Sequence, residues 1–244
     1  MGVIERRRRF SVVLLAVICV IAGVLSEAIR ERSAPTSAPT QNVVTQQAPV
    51  ASAPAIQELE KLQIKGRAPK TGYSREQFSN DWGKINGCSL RELILLRDLQ
   101  NTKLDEDGCR VLAGTLQLDP YTGKTIDFQR GATTSQAVQI DHVVAVSDAW
   151  QKGAQQLSPD LRYQFYNDPL NLLAVDGPTN NNKGDGDAAT WLPPNKDYRC
   201  RYVARQIAVK IRYTLWVTQA EYDAIKNVLG SCPAQVLPII QGNV

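Results

Sequence analysis

The N-terminal part of this chain limits where a folded domain can form. An arginine-rich start, MGVIERRRRF, leads into an apolar run from Phe10 to Leu25 that only Ser11 and Gly23 interrupt. A basic flank before a short apolar run is typical of an export signal or an uncleaved signal anchor. We therefore expect residues 1–28 to carry the chain out of the cytoplasm, as a cleaved peptide or as a membrane anchor.

The next segment, residues 29–68, is rich in Ser, Thr, Ala, Pro and Gln, as in SAPTSAPTQNVVTQQAPVASAPA. It shows no apolar periodicity, so it buries too little surface to offset the entropy lost on ordering. We expect a flexible linker, with IQELEKLQI forming a short helix before a folded domain at 69–244. From Pro69 onward the chain has 19 Lys and Arg against 19 Asp and Glu, so any surface that binds nucleic acid must be a local patch.

Four cysteines lie beyond the linker: Cys88, Cys109, Cys200 and Cys232. An even number in an exported domain predicts two disulfides, for which three pairings are possible. We expect Cys88–Cys109 and Cys200–Cys232. A metal site of four cysteines is the alternative, but the chain has no Cys-x-x-Cys pair to support it.

The second disulfide has a geometric basis. Helical stretches over about 197–215 and 219–229 meet at Thr218, whose Thr-x-x-Glu spacing is a capping box. Similar helical lengths separate Thr218 from Cys200 and from Cys232. An antiparallel helical hairpin therefore brings the two sulfur atoms together.

The middle of the chain predicts short strands among helices. Ser74-x-x-Gln77 and Ser89-x-x-Glu92 have the spacing of helix starts. RVLAGTLQ and KTIDFQ flank the turn-rich LDPYTG and predict a hairpin. VQIDHVVAV and NLLAV are further strand candidates, and a short helix is expected from TNNNKG onward. The fold class is therefore α+β, mostly helical with a small antiparallel sheet.

One histidine, His142, is the only imidazole in the chain. A lone histidine in an apolar run such as IDHVVAV is usually a packed strand residue. Here Asp141 precedes it, Asn171 opens the next strand, and Asn180-x-x-Lys183 opens a helix. This order of residues favours a functional site over a structural histidine.

The same residues suit the hydrolysis of phosphodiesters. Neutral His142 can accept a proton from water, and Asp141 with the amide oxygen of Asn180 can ligate a hard cation. So sparse a ligand set favours Mg²⁺, with Mn²⁺ as a substitute, whereas zinc is disfavoured because the chain has no second imidazole. Neighbouring side chains point to opposite faces of a regular strand, so Asp141 and His142 can share a site only where the strand ends or bulges.

These motifs, DHVV at 141–144, NLLAV at 171–175 and NNNKG at 180–184, resemble those of the HNH nucleases. That family has a ββα-metal finger, two strands and a helix around one cation. The longer run from IDHVVAVSDAWQKGA to YRCRYVARQ resembles a bacterial secreted group whose domain is shared with the C-terminal part of modification-dependent restriction enzymes. The similarity spans roughly residues 71–232.

The resemblance implies a role for each motif residue. His142 would be the general base, Asp141 a metal ligand, and Asn171 the residue that ties the loop between the strands and helps to aim the histidine. Asn180 would be the second ligand, where many members have His. Asn181 and Asn182 remain alternatives, although the spacing to Lys183 favours Asn180.

Four basic residues are candidates to bind substrate phosphates: Lys183, Arg199, Arg201 and Arg205. The arginines fit a solvated helix face equally well. The sequence thus predicts a secreted or membrane-tethered, metal-dependent endonuclease that acts on nucleic acid, DNA above RNA, with little sequence specificity. Nothing in it points to an obligate protein partner, and only the N-terminal segment would contact a membrane. The alternative is a non-catalytic extracytoplasmic module that retains the finger as a binding scaffold.

Overall fold

The computed structural model describes residues 53–238. The predicted signal or anchor segment, residues 1–28, and the linker up to residue 52 lie outside the described residues. Within residues 53–238, no helix is both long and apolar enough to cross a membrane.

The structure combines α-helices with small antiparallel sheets, as the sequence predicts. The helices are α1 (Ala55–Leu59), α2 (Leu90–Asp98), α3 (Val146–Gln151), α4 (Pro159–Tyr166), α5 (Gly177–Lys183), α6 (Arg199–Arg212) and α7 (Gln219–Gly230). The strands are β1 (Lys84–Ile85), β2 (Cys88–Ser89), β3 (Gln100–Leu104), β4 (Val111–Leu116), β5 (Ile126–Gln129), β6 (Val138–His142) and β7 (Leu172–Asp176). Short 3₁₀ turns begin at Arg75, Ser135, Ala154 and Lys196.

Strands β6 and β7 and helix α5 form a ββα unit at the predicted place. The two strands are antiparallel, in regular register from Val138 opposite Asp176 to His142 opposite Leu172. Helix α5 follows β7 directly, and the Asp176 side chain caps it by accepting from the amide of Thr179. A Cβ atom on Gly177 would clash with the carbonyl oxygen of Gln136, so glycine is required where α5 starts beside β6. Helices α3 and α4 are inserted between the two strands.

A separate sheet has the strand order β3-β4-β5. The predicted hairpin is confirmed, because β4 and β5 pair from Ala113 opposite Gln129 to Leu116 opposite Ile126. Strand β3 was not expected, since QNTKL lacks alternating apolar residues and is largely exposed. It pairs with β4 through an irregular register, so backbone hydrogen bonds rather than side-chain burial define it.

Helices α6 and α7 form the predicted helical hairpin. Thr218 caps α7, its hydroxyl accepting from the amide of Glu221 at 3.2 Å. The disulfide Cys200–Cys232 joins the far ends of the two helices, and Cys88–Cys109 joins β2 to the loop before β4. Both predicted pairings are therefore present.

The packed domain begins before residue 69, where the sequence analysis placed the end of the linker. Ala55, Leu59 and Leu62 are buried in the main apolar core with residues of α6 and α7. Their spacing of four and three residues puts them on one face of a helical turn. These three apolar residues, in an otherwise polar stretch, are therefore part of the core. The predicted boundary between linker and domain at residue 69 is too late in the sequence.

A buried ionic network joins this N-terminal stretch to the helices. It contains three cationic and three acidic side chains, Arg67, Lys152, Lys210, Asp148, Asp187 and Glu221. The Nζ atom of Lys152 lies 2.6 Å from Asp187 and 2.7 Å from Glu221, and all three side chains are buried. The network links α3, α6 and α7 to the loop after α5, because each of these segments supplies at least one charge. Breaking one pair would leave an uncompensated buried charge.

We expect the Cys200–Cys232 disulfide to contribute roughly 2–4 kcal/mol to the free energy of unfolding, because it closes a 32-residue separation in the unfolded chain. The double variant Cys200→Ser/Cys232→Ser should therefore unfold at lower denaturant concentration, as measured by circular dichroism. Peptide mapping without reductant should recover both native pairs from the wild type. Free thiols or crossed pairs would contradict the assignment.

We expect Asp187 to make stability pH-dependent. Burial alone would raise its pKa, but Lys152, Arg67 and Thr190 lower the pKa from 3.8 to about 2. A carboxyl group with a lowered pKa stabilises the fold above its unfolded pKa, and that stability is lost as the pH falls from about 4 through 2. The shift corresponds to about 2 kcal/mol.

The measurement is urea unfolding of wild type and Asp187→Asn from pH 6 to pH 2. The difference in free energy of unfolding should shrink by about 2 kcal/mol across this range. Asp107→Asn is the control, because Asp107 is exposed in the loop before β4 and lies outside the network. A difference between wild type and Asp187→Asn that stays constant with pH would contradict the prediction.

Candidate active site

A cleft of about 230 Å³ opens where β6 ends against α5. It is lined by Arg75, Ile140, Asp141, His142, Ala145, Val146, Asn180, Asn181 and Gly184. The strand, the loop that follows it and the helix of the ββα unit therefore meet at this cleft. Of the predicted site residues, Asp141, His142 and Asn180 are brought together here.

The imidazole of His142 is held in one tautomer. Its Nε2 atom lies 2.8 Å from the carbonyl oxygen of Tyr166. A carbonyl only accepts hydrogen bonds, so Nε2 carries the proton and Nδ1 keeps its lone pair. Burial lowers the pKa of His142 to about 3, and the charges of Arg75 and Lys183 act in the same direction. The side chain is therefore a neutral imidazole whose Nδ1 is unprotonated.

The His142 ring packs against two aromatic side chains that also contact each other. The Trp82 indole is stacked on it, with ring centroids 5.7 Å apart and planes inclined by 8°. The Tyr166 ring lies on it at 4.6 Å and 48°. The ring is only 5% exposed, so its position is fixed by packing as well as by hydrogen bonding.

Asp141 is a buried carboxylate with two internal donors. Its Oδ1 accepts from the Nζ atom of Lys183 at 3.0 Å, and its Oδ2 accepts from the hydroxyl of Tyr121. Burial raises the pKa of Asp141, and the hydrogen bonds and the charge of Lys183 oppose this rise. No bulge is needed for Asp141 and His142 to reach one cleft, because β6 ends at His142 with its register intact.

Lys183 differs from the sequence-based expectation. Only 3% of it is exposed, and its Nζ atom also donates to the carbonyl oxygen of His142 at 2.9 Å. The last turn of α5 faces β6 here, so the lysine is directed inward to a buried carboxylate. Its ammonium group thus binds protein oxygens rather than facing solvent where a substrate phosphate would be.

Asn171 is fully buried and binds the loop after β6. Its Oδ1 accepts from the amide of Val144 at 2.8 Å, and its Nδ2 donates to the carbonyl of Val144 at 3.2 Å. The amide side chain therefore pairs with both backbone polar groups of a residue two positions after His142. These contacts hold the loop on which the orientation of His142 depends.

The three successive asparagines on α5 do not share one environment. Asn180 and Asn181 line the cleft, whereas Asn182 lines a different, polar groove with Arg67 and Lys70. The Nδ2 atom of Asn180 donates to Gln139 at 2.9 Å. The Oδ1 atom of Asn180 is then the part of the amide left to accept or to ligate.

The arginines predicted to bind substrate do not line the cleft. Arg199 donates to the carbonyl oxygen of Pro193 at 2.8 Å, and Arg205 donates to that of Leu170 at 2.6 Å. Arg201 is exposed and lies 4.9 Å from the Tyr198 ring. Arg201 and Arg205 line a separate cavity beside residues 235–238. Position on one helix therefore did not place these side chains beside His142.

The family model described as "GmrSD restriction endonucleases, C-terminal domain" matches residues 89–228. The chain belongs to this family. An "Uncharacterized secreted protein" from Arthroderma benhamiae is 38% identical over 177 residues, which cover 71% of this chain and 82% of that relative. The GmrSD C-terminal domain match contains β6, β7 and α5, so the family assignment and the ββα geometry concern the same part of the chain.

Two residues at the site lie ahead of the segment that matches the GmrSD C-terminal domain. Arg75 is exposed at the cleft, with its Nε atom 3.2 Å from the Tyr166 hydroxyl, and Trp82 stacks on His142. The Ser74-x-x-Gln77 spacing predicts a helix start, where the structure has only a short 3₁₀ turn, and it gives no connection to the site. The only signal was an arginine beside a turn start, and nothing local links it to a histidine 67 positions later.

The side chains at the cleft fit a hard cation better than a soft one. Among residues 53–238, no group of three or more His, Cys, Asp and Glu side chains is placed to hold a metal ion. The cleft instead offers oxygen atoms from Asp141, Asn180 and Asn181. Each carboxylate oxygen of Asp141 accepts one hydrogen bond and retains a further acceptor site. A few oxygen ligands suit Mg²⁺, which keeps several of its waters.

Proposed function

We propose that this protein is a secreted or membrane-tethered, metal-dependent endonuclease that hydrolyses phosphodiester bonds of DNA with little sequence specificity. The observation that carries the proposal is His142, a neutral imidazole with Nε2 bound to Tyr166 and an unprotonated Nδ1, in a cleft shared with carboxylate and amide oxygens. Its place in a restriction endonuclease domain family supports nuclease chemistry.

Asp141 and Asn180 would hold the cation, with Asn181 as the neighbouring oxygen donor. A divalent cation bound there would neutralise charge on the phosphate and stabilise the leaving oxygen. Asp141 brings the only full negative charge among the residues that line the cleft. Lys183 already neutralises part of that charge, which favours a weakly bound ion.

The protein's own groups provide the remaining parts of the reaction. His142 takes a proton at Nδ1 from the attacking water, and the Tyr166 carbonyl stabilises the resulting imidazolium through Nε2–H. Arg75, exposed at the cleft, binds a non-bridging phosphate oxygen. Asn171 maintains the loop after His142, so it acts through position rather than by contact with substrate.

The expected low sequence specificity follows from the charge of the domain. The region from Pro69 onward has no net formal charge, so binding would rest on local contacts with the phosphate backbone. Backbone contacts carry little sequence information. The two disulfides and the relative described as secreted support action outside the cytoplasm.

We expect His142→Ala to lower Mg²⁺-dependent cleavage of plasmid DNA by about 10²- to 10⁴-fold, because the general base is lost and the chain has no second histidine. Added Mg²⁺ or Mn²⁺ should not restore activity. EDTA should abolish cleavage by the wild type, and Asn182→Ala should behave as wild type because Asn182 lies outside the cleft.

Circular dichroism would establish that His142→Ala is folded. Activity above about a tenth of wild type would remove His142 from the mechanism, since loss of a general base typically lowers the rate by about 10²-fold or more. A wild-type protein that binds DNA but leaves it intact with Mg²⁺ would favour the non-catalytic module instead.

We expect the proposed metal ligands to contribute unequally to the affinity for the cation. Asp141→Asn should weaken Mn²⁺ binding by roughly tenfold or more, because it removes the ligand charge. Asn180→Ala should weaken it less, and Asn182→Ala should leave it unchanged. Titration of free Mn²⁺ followed by electron paramagnetic resonance measures this without reference to cleavage. An unchanged Asn180→Ala curve with a shifted Asn181→Ala curve would transfer the ligand role to Asn181.

A further inference from the structure

The position of the His142 ring needs more than its one hydrogen bond. The Nε2–H bond to the Tyr166 carbonyl fixes one atom of the ring but permits rotation about the hydrogen-bond direction. Rotation of the ring plane would move Nδ1, the atom that must face the attacking water. A flat surface parallel to the ring removes this freedom, because offset-stacked aromatic pairs prefer near-parallel planes.

Trp82 provides that surface. Its ring plane is within 8° of the His142 plane, whereas the Tyr166 ring on the same imidazole is inclined by 48°. Trp82 does not line the cleft, so it contacts His142 without occupying the space of the substrate. It is the more parallel of the two aromatic neighbours.

Trp82 is itself firmly held. The amide of Gly83 donates to the side chain of Asn167 at 2.7 Å, and the carbonyl of Gly83 accepts from Leu90 at 2.7 Å. A Cβ atom on Gly83 would lie 2.8 Å from the Tyr163 hydroxyl, so glycine lets this segment approach α4 closely without displacing that side chain. The Trp82 ring packs between two apolar clusters, one with Phe165 and the other with Leu172.

We propose that Trp82 is a positioning residue that fixes the plane of the His142 imidazole and thereby directs Nδ1 into the cleft. The expected effect of Trp82 on catalysis rests on the proposed nuclease function, whereas its effect on the orientation of the imidazole does not. The residue lies seven positions before the GmrSD C-terminal domain match begins, so a complete site requires the segment ahead of that match.

The test compares Trp82→Phe with Trp82→Leu in the full protein. Phenylalanine retains a flat ring, whereas leucine retains apolar volume without one. We expect Trp82→Leu to lower kcat roughly 10- to 100-fold with KM and the Mg²⁺ midpoint unchanged, because misplacement of a reacting atom by about 1 Å has effects of this size. Trp82→Phe should stay close to wild type.

The single histidine allows a readout that does not depend on activity. In protein labelled with ¹⁵N-histidine, the one imidazole gives one pair of ring nitrogen signals. The Nε2–H proton should be visible in wild type and in Trp82→Phe, because it is bound to Tyr166, and should exchange rapidly with water in Trp82→Leu. Trp150→Leu is the control, since Trp150 packs against Phe78 and Tyr73. It should change stability but not the histidine signals.

Each outcome decides the proposal. Equal kcat in the Phe and Leu variants, or an Nε2–H signal that persists in Trp82→Leu, would overturn it. If the wild type does not cleave DNA, the proposed function fails, and the nitrogen spectra alone then decide whether Trp82 positions His142. Loss of the Nε2–H signal only in Trp82→Leu supports the positioning role in either case.

Discussion

One buried ammonium group connects the helix of the ββα unit to its first strand. The Nζ atom of Lys183, near the end of α5, donates to the Asp141 carboxylate and to the His142 carbonyl. Both acceptors belong to the last two residues of β6. A buried charge without its partner is costly, so α5 and the end of β6 are stable only in this relative position. The cleft between them depends on that link.

The ββα unit is supported on two sides by segments that are distant in sequence. The ionic network around Lys152 holds α3 and the loop after α5 against the α6 and α7 helices. Elsewhere in the unit, Trp82 and Tyr166 pack against the His142 ring. Helices α3 and α4, inserted between the strands, make this possible because α4 supplies Tyr166, and α3 supplies Asp148 with Lys152 directly after it. The geometry of the site therefore depends on segments from across the domain and not on the ββα unit alone.

Sequence patterns predicted the features that depend on residues close to one another in the chain. The strand–strand–helix order, both disulfides and the α6–α7 hairpin followed from spacing, apolar runs and the family resemblance. Residues whose surroundings come from remote segments were not predicted. From the sequence, a lysine at the end of a helix such as Lys183 looks like an exposed charge, and only the packing of β6 against α5 buries it. Arg75 and Trp82 contact the His142 region in space, but no nearby sequence pattern connects them with it. Arg205 was misjudged for the same reason, because its partners are carbonyl oxygens of the loop before β7.

The arrangement of charge at the cleft has a consequence for the proposed metal-dependent hydrolysis. Asp141 has one formal negative charge, and Lys183 lies 3.0 Å from it, so the protein alone provides little net attraction for a cation. A phosphodiester bound as proposed would add a negative charge next to Arg75 and the cleft asparagines. Cation and substrate should then bind with positive coupling, since each lowers the electrostatic cost of the other. Under the proposed function, linkage requires that nucleic acid raise the affinity for Mg²⁺ by the same factor as Mg²⁺ raises the affinity for nucleic acid.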